Sequence, residues 1–470
     1  MKTIKILLLL ITPLLFFACS EDTMDEINKE RNNALEMSAT SMLPDAILKT
    51  AFQTAGADMA WYTSVYVELN AGSWNQMFSA DRRINQDAAS TFNNSWNQLY
   101  DVMNICRDIL DKTAPDGEEP DNQIARGIAQ VLMAYNLEVA TSMWGEVPYS
   151  EALKGAENLK PTYDRQSNLY TVIQQSLDDA ITTLNQVTSV NLAEDLIYGG
   201  TKDAWIKAAY SLKARYHMRL SQRNTGASAD ALAALANGFS GASDEFLFDE
   251  WEATLTGENP WYQFLFDRTH HSTSQSLYDL MSVRNDPRIS AYFTLVGGSI
   301  VPCPNGAAIE SQGTIYSQSL ITTNGRTAPT PIMTYHELLF IKAEAEFRTG
   351  AGTWQATLQQ AVEESFTYHS VAGGTNYFTT EVVPRLTAGN ELNEILTQKY
   401  IAFYEHESIE AYNDYRRTGI PSMTNPNNAT VGFVNRLPYP VSEVSSNPDN
   451  VPTINIFSDK VWFAGGDEKL

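Results

Sequence analysis

Cysteine is scarce in this chain of 470 residues, with three, at positions 19, 106 and 303. That count excludes a disulfide framework. Cys106 falls in a helical pattern and Cys303 in a Pro-Cys-Pro loop. Neither has a nearby His in sequence to make it a nucleophile, and the sequence leaves open whether they pair. Basic runs are missing too. The 32 Lys and Arg face 56 Asp and Glu, for a formal charge of −24, and nowhere form a run. A phosphate-binding surface needs concentrated cations, so nucleic acid is excluded as a partner. A bare anionic membrane is disfavoured for the same reason. No P-loop, dinucleotide fingerprint or nucleophile elbow occurs, so no cofactor and no catalytic residue is assigned. No Gly/Ser or Pro linker divides the chain.

The N-terminus carries the one long apolar run. Lys2 and Lys5 precede Ile6 to Phe17, which ends at Ala18-Cys19. A run this short fits a signal-peptide core and falls below the roughly 20 residues that span a bilayer as a helix. A Cys directly after it reads as a lipobox, with residues 1–18 removed and Cys19 acylated. The alternative is a secreted protein with an incidental Cys; the position of Cys19 favours lipidation. Two or more acyl chains, at about 0.8 kcal/mol per buried methylene, anchor a protein stably. Residues 19–40, polar and charged, read as a tether to a single domain over 41–470.

Helical periodicity dominates that domain. Ile124, Ile128, Val131, Leu132, Tyr135 and Val139 draw one apolar stripe, and Leu392, Ile395, Leu396, Tyr400 and Phe403 draw another. A first helix is expected near 42–56. Four helical pairs are expected after it: 86–112 with 121–143, 166–187 with 203–222, 334–349 with 354–369, and 388–406 with 408–417. Trp205, Ala208, Ala209 and Leu212 approximate the tetratricopeptide pattern, whose pairs must stack to bury their faces. Residues 223–333, rich in Gly, Ser, Thr, Asn and Pro with interspersed aromatics, read as an irregular insertion of the kind that carries function.

The motifs that would signal chemistry fail on inspection. His336-Glu337 opens like a zinc-protease helix, but the second His position is Phe340. His270-His271 and Glu405-His406-Glu407 put adjacent side chains in different directions, so no metal site is assigned. Asp244, Glu245, Asp249, Glu250 and Glu252 offer carboxylates, though a glycosidase needs two of them about 5–9.5 Å apart across a bond. Aromatics are the more informative feature, with 9 Trp and 22 Tyr. Sugar rings present C–H arrays that pack on Trp and Tyr faces, and amphipathic rings supply contact area at low entropic cost. Trp144, Trp205 and Trp462 are assigned to the core. Trp61, Tyr62, Trp74, Trp251, Trp261 and Tyr262 are the candidate ligand-binding residues.

Several segments in order resemble the SusD/RagB family, in its SusD-like branch. They are Trp144-Gly145-Glu146-Val147-Pro148-Tyr149-Ser150-Glu151-Ala152, Tyr198-Gly199-Gly200 with Trp205 to Ala208, and Ser211 to Arg215 with Met218-Arg219-Leu220. Asn285-Asp286-Pro287-Arg288, Tyr335 to Leu339 with Ala343-Glu344-Ala345, Tyr412 to Gly419, and Arg436 to Pro440 continue the series. The resemblance implies a mainly α fold of four tetratricopeptide-type helical pairs against a loop-rich remainder. It also implies a lipid-anchored outer-membrane protein that captures nutrient for a SusC-like TonB-dependent transporter. Ser20-Glu21-Asp22 after the Cys is similar to the export signal of Bacteroidetes lipoproteins. The expected ligand is a glycan or oligosaccharide. An oligopeptide, as for RagB-like members, is the first alternative, and a surface-anchored hydrolase or a purely structural lipoprotein are the others. The motifs carry over fold and partner, and the ligand residues rest on side-chain chemistry alone.

Overall fold

The computed structural model describes residues 37–187, 192–321, 325–405 and 407–470. The lipobox with Cys19, most of the tether, and His406 lie outside the described residues. The first helix, α1 (Ala39–Lys49), takes in the last two residues of the expected tether. Ser38 caps it, and it runs on into a π-helical turn, Thr50–Ala55. Two short helices follow, α2 (Asp58–Tyr66) and α3 (Asn75–Asp81).

The scaffold is a stack of antiparallel helices. It runs α4 (Asn93–Lys112), α5 (Gln123–Trp144), α6 (Gln166–Asn185), α7 (Lys202–Arg219) and α8 (Ala227–Leu235), each against the next. Beyond two further short helices, α9 (Pro260–Arg268) and α10 (Gln275–Ser282), the stack resumes with α11 (Tyr335–Thr349), which packs on α8, and α12 (Trp354–Tyr368). Helix α5 is buried along almost its whole length between α4 and α6. Its small residues permit this. At Gly127 a Cβ would lie 2.5 Å from the Leu184 side chain. Gly145 ends α5 at φ +85°, where a Cβ would lie 2.6 Å from Arg436 Nη2. Only glycine accepts that turn without strain.

Two expectations need correction. The last helices, α13 (Glu391–Ala402) and α14 (Ser408–Thr418), were expected to pack as a pair. They are joined by the Lys399–Asp414 ion pair at 2.7 Å, but α13 packs chiefly on α11 and α14 on α2. The few residues between them suffice to turn the chain but aim the helices at different neighbours. The 223–333 stretch is also more regular than its composition suggests. Besides α8, α9 and α10 it supplies the strands β2 (Phe246–Phe248), β3 (His271–Thr273) and β4 (Thr330–Met333). β3 pairs antiparallel with β1 (Asn70–Gly72), matching Ala71 to Ser272, and β2 pairs with β4. The first ribbon ties the insertion to the chain between α2 and α3, and the second packs against the π-helical turn.

Candidate functional site

The charged residues of the signature segments turn inward. Arg215 Nε donates to Glu337 Oε1 at 2.8 Å, and Arg219 meets Glu138 at 3.1 Å and Glu410 at 2.6 Å. Arg417 grips Glu344 at 2.6 and 2.8 Å, Arg436 meets Glu146 at 2.9 Å, and Arg288 meets Asp286 at 2.6 Å. All are buried and so face no ligand, and all but Arg288–Asp286 tie together segments far apart in sequence. His336 belongs to the same interior, with Nε2 3.1 Å from Glu407 Oε2. His270 and His271 are buried at β3. Burial, with Arg268 adding to it, lowers His270 to about 4, and burial lowers His271 to about 3. Cys106 and Cys303 are both buried free thiols, and burial pushes Cys106 up to about 12.

The six candidate aromatics separate by exposure. Tyr62 is buried edge-on to Phe92 at 4.9 Å, and Trp261 is 0% exposed. Neither offers a ring face to a ligand. Trp61 stacks on Phe264 at 4.0 Å and 16°, which uses one face for packing. Trp251, 7% exposed, donates its indole N–H to Thr330 Oγ1 at 3.1 Å and borders a separate cleft. Trp144 and Trp205 lie in the core as expected, but Trp462 does not. It is half-buried under the Arg223 guanidinium at 5.1 Å, and Phe463 takes the core position beside it.

Trp74 and Tyr262 remain, both half-buried, and each heads an i, i+4 stripe. Trp74 is the cap residue of α3, Phe78 stands one turn on, and Arg82 follows at the helix end with its guanidinium 4.5 Å over the Phe78 ring. The stripe is about 12 Å long at 1.5 Å per residue. Arg82 Nη2 donates to Ala308 O at 2.8 Å, while its Nε has no partner. On α9, Tyr262 and Phe266 lie 5.3 Å apart and only 10° from parallel, and Phe266 is 60% exposed. Asn259 sets this helix by accepting from the Trp261 and Tyr262 amides at 2.8 and 3.1 Å, so Trp261, Phe264 and Leu265 turn inward.

Backbone bonds couple the two stripes. Ser73 and Trp74 amides both donate to His270 O, at 2.9 and 3.3 Å, at the end of α9. The 306–316 loop joins them, Ser311 N donating to Ser73 O at 2.8 Å and Gln312 Nε2 to Arg268 O at 3.0 Å. These bonds hold the start of α3 against the end of α9, with Phe266 and the loop residue Ile309 exposed. Phe78, Arg82 and Phe266 were not among the sequence candidates. Their signal was present in the four-residue spacing from Trp74 and Tyr262, but it shows only once each segment is known to be helical.

Comparison with known proteins agrees with this architecture. None of the curated proteins matches the chain. Among solved structures, a SusD/RagB family protein from Bacteroides thetaiotaomicron is 33% identical, with a TM-score of 0.84, covering 92% of this chain and 100% of that one. A SusD homologue from Bacteroides uniformis is 22% identical, with a TM-score of 0.74 over 90% and 99% of the two chains. A chitin-binding SusD homologue from Flavobacterium johnsoniae is 20% identical, with a TM-score of 0.76 over 92% and 100%. The last two show likeness of fold alone. The SusD-like family model, described as starch-binding associating with outer membrane, matches residues 31–440, and the chain belongs to that family.

Proposed function

We propose that this protein is a non-catalytic, cell-surface glycan-binding lipoprotein. Anchored in the outer membrane through Cys19, it captures oligosaccharide and delivers it to a SusC-like TonB-dependent transporter. The observation that carries the reading is the near-parallel Tyr262–Phe266 pair, on a helix whose end is bonded to the start of the Trp74–Phe78–Arg82 stripe. Flat, partly exposed rings fit the C–H faces of sugars, and half-buried Arg82 supplies a guanidinium at the end of one stripe. The family's starch-binding description and the chitin-binding relative are in keeping with a glycan ligand. No helix among the described residues is long and apolar enough to cross a membrane, which is compatible with an anchor at the N-terminus.

The test is affinity electrophoresis and calorimetry of the protein freed of its first 19 residues, against starch, chitin oligosaccharides, other polysaccharides and peptide pools. Trp74→Ala and Phe266→Ala are each expected to weaken glycan binding about tenfold, or about 1.4 kcal/mol. Saturable binding of peptides alone would move the ligand to oligopeptides. Steady release of cleaved product would overturn the non-catalytic reading.

A further inference from the structure

We propose that the cleft beside Trp251 is a second ligand site, and that it takes an organic ammonium carrying an aromatic or branched aliphatic body. It is a separate opening of 430 Å³ between α1 and the 246–257 segment, within the roughly 300–1,000 Å³ of small-ligand sites. Its walls are Leu48, Phe52, Leu196, Phe248 and Trp251. The indole is held rigidly, edge-on to Phe248 at 4.6 Å and Phe52 at 6.0 Å, with its N–H tied to Thr330. A ligand therefore meets a preformed apolar wall.

Of the charged residues lining the cleft, Asp45, Glu250 and Glu252 are acidic and Lys49 is basic. Glu250 and Glu252 flank Trp251 on the exposed rim and make no ion pair among the described residues. Lys49, the cation at the rim, is already committed to Asp45 at 3.0 Å and Asp101 at 2.6 Å. The rim thus keeps unneutralised negative charge above an apolar floor. A cation bound there gains from the carboxylates, and its apolar body gains from the walls.

A second feature lies on the same lining. Phe52 and Gln53 lie in the π-helical turn Thr50–Ala55, a departure from α geometry that recurs at functional sites. Gln53 Oε1 is shut off from solvent and has no hydrogen-bond partner. A neutral sugar suits the cleft poorly, because its ring of hydroxyls would lie against Leu48, Phe52 and Phe248 with nothing to bond.

The probe is phenethylammonium, titrated calorimetrically into the protein freed of its first 19 residues at 150 mM NaCl, with 3-phenylpropionate and glucosamine as counter-probes. Phenethylammonium is expected to saturate, with both counter-probes at least tenfold weaker. The Glu250→Gln/Glu252→Gln double variant, which changes only exposed side chains, is expected to lose at least fivefold. Absence of saturation, equal binding of 3-phenylpropionate or glucosamine, or unchanged affinity in the double variant would overturn the proposal. Glycan affinity measured on the same variant is expected to be unchanged, which keeps failure of this site distinct from failure of the glycan reading.

Discussion

Arg219 shows how single residues of the signature segments act. Its guanidinium satisfies Glu138 from α5 and Glu410 from α14 at once, with all three side chains buried. Burying such charges gains little over a well-packed apolar cluster, yet removing one partner leaves the others uncompensated. Arg219→Met is therefore expected to destabilise the fold by about 3–5 kcal/mol, read as a lower urea midpoint at unchanged slope. Adding Glu138→Gln should recover part of that loss, since it removes one stranded charge. Full stability in the single variant would mean that water reaches the pair. The same logic explains why these arginines and glutamates carry family membership but say nothing about ligand.

Among the elements, α3 and β1 bring the proposed glycan surface together with the chain that supports it. Asp81, the last residue of α3, is buried and accepts from Gly306 N at 2.6 Å and Asn425 Nδ2 at 3.0 Å, clamping two loops. Burial pushes its carboxyl up to about 7, against the opposing pull of the Gly306 N–H and Arg83. An acid whose folded value is raised binds its proton more tightly folded than unfolded. Its stabilisation is thus complete below about pH 4 and is lost as pH rises through 7. Melting curves between pH 4 and 8 should therefore slope downward more steeply for the native protein than for Asp81→Asn. Parallel slopes would show that Asp81 stays ionised when folded. None of this was legible in the sequence, because Asp81, Gly306 and Asn425 are over a hundred residues apart at each step. The long helices were legible, since α5 and α12 repeat their apolar period over four or more turns. α3 and α9, at two to three turns, gave too few repeats to separate helix from loop, so Phe78 and Phe266 went unread beside Trp74 and Tyr262. The pairing of α13 with α14 failed for a different reason. Adjacency in sequence was taken as contact, and the turn between them decided otherwise.

At the scale of the whole molecule, the formal charge of −24 separates the two proposed binding modes. Rings stacked on a neutral sugar, with hydroxyls bonded to Arg82 and amides, involve no net charge on the ligand. Ionic strength then has little to act on. A cation drawn to Glu250 and Glu252 feels those exposed carboxylates, whose reach shrinks with the Debye length from roughly 14 Å at 50 mM salt to roughly 4 Å at 500 mM. Calorimetric titrations across that range should leave the affinity for a neutral glycan within about twofold, while the affinity for phenethylammonium should fall about threefold or more. A glycan affinity that collapsed with salt would mean that its binding rests on charge, and would shift the ligand toward cationic or peptidic chemistry. A phenethylammonium affinity that ignored salt would place its ammonium away from the carboxylates and leave only the apolar walls to hold it.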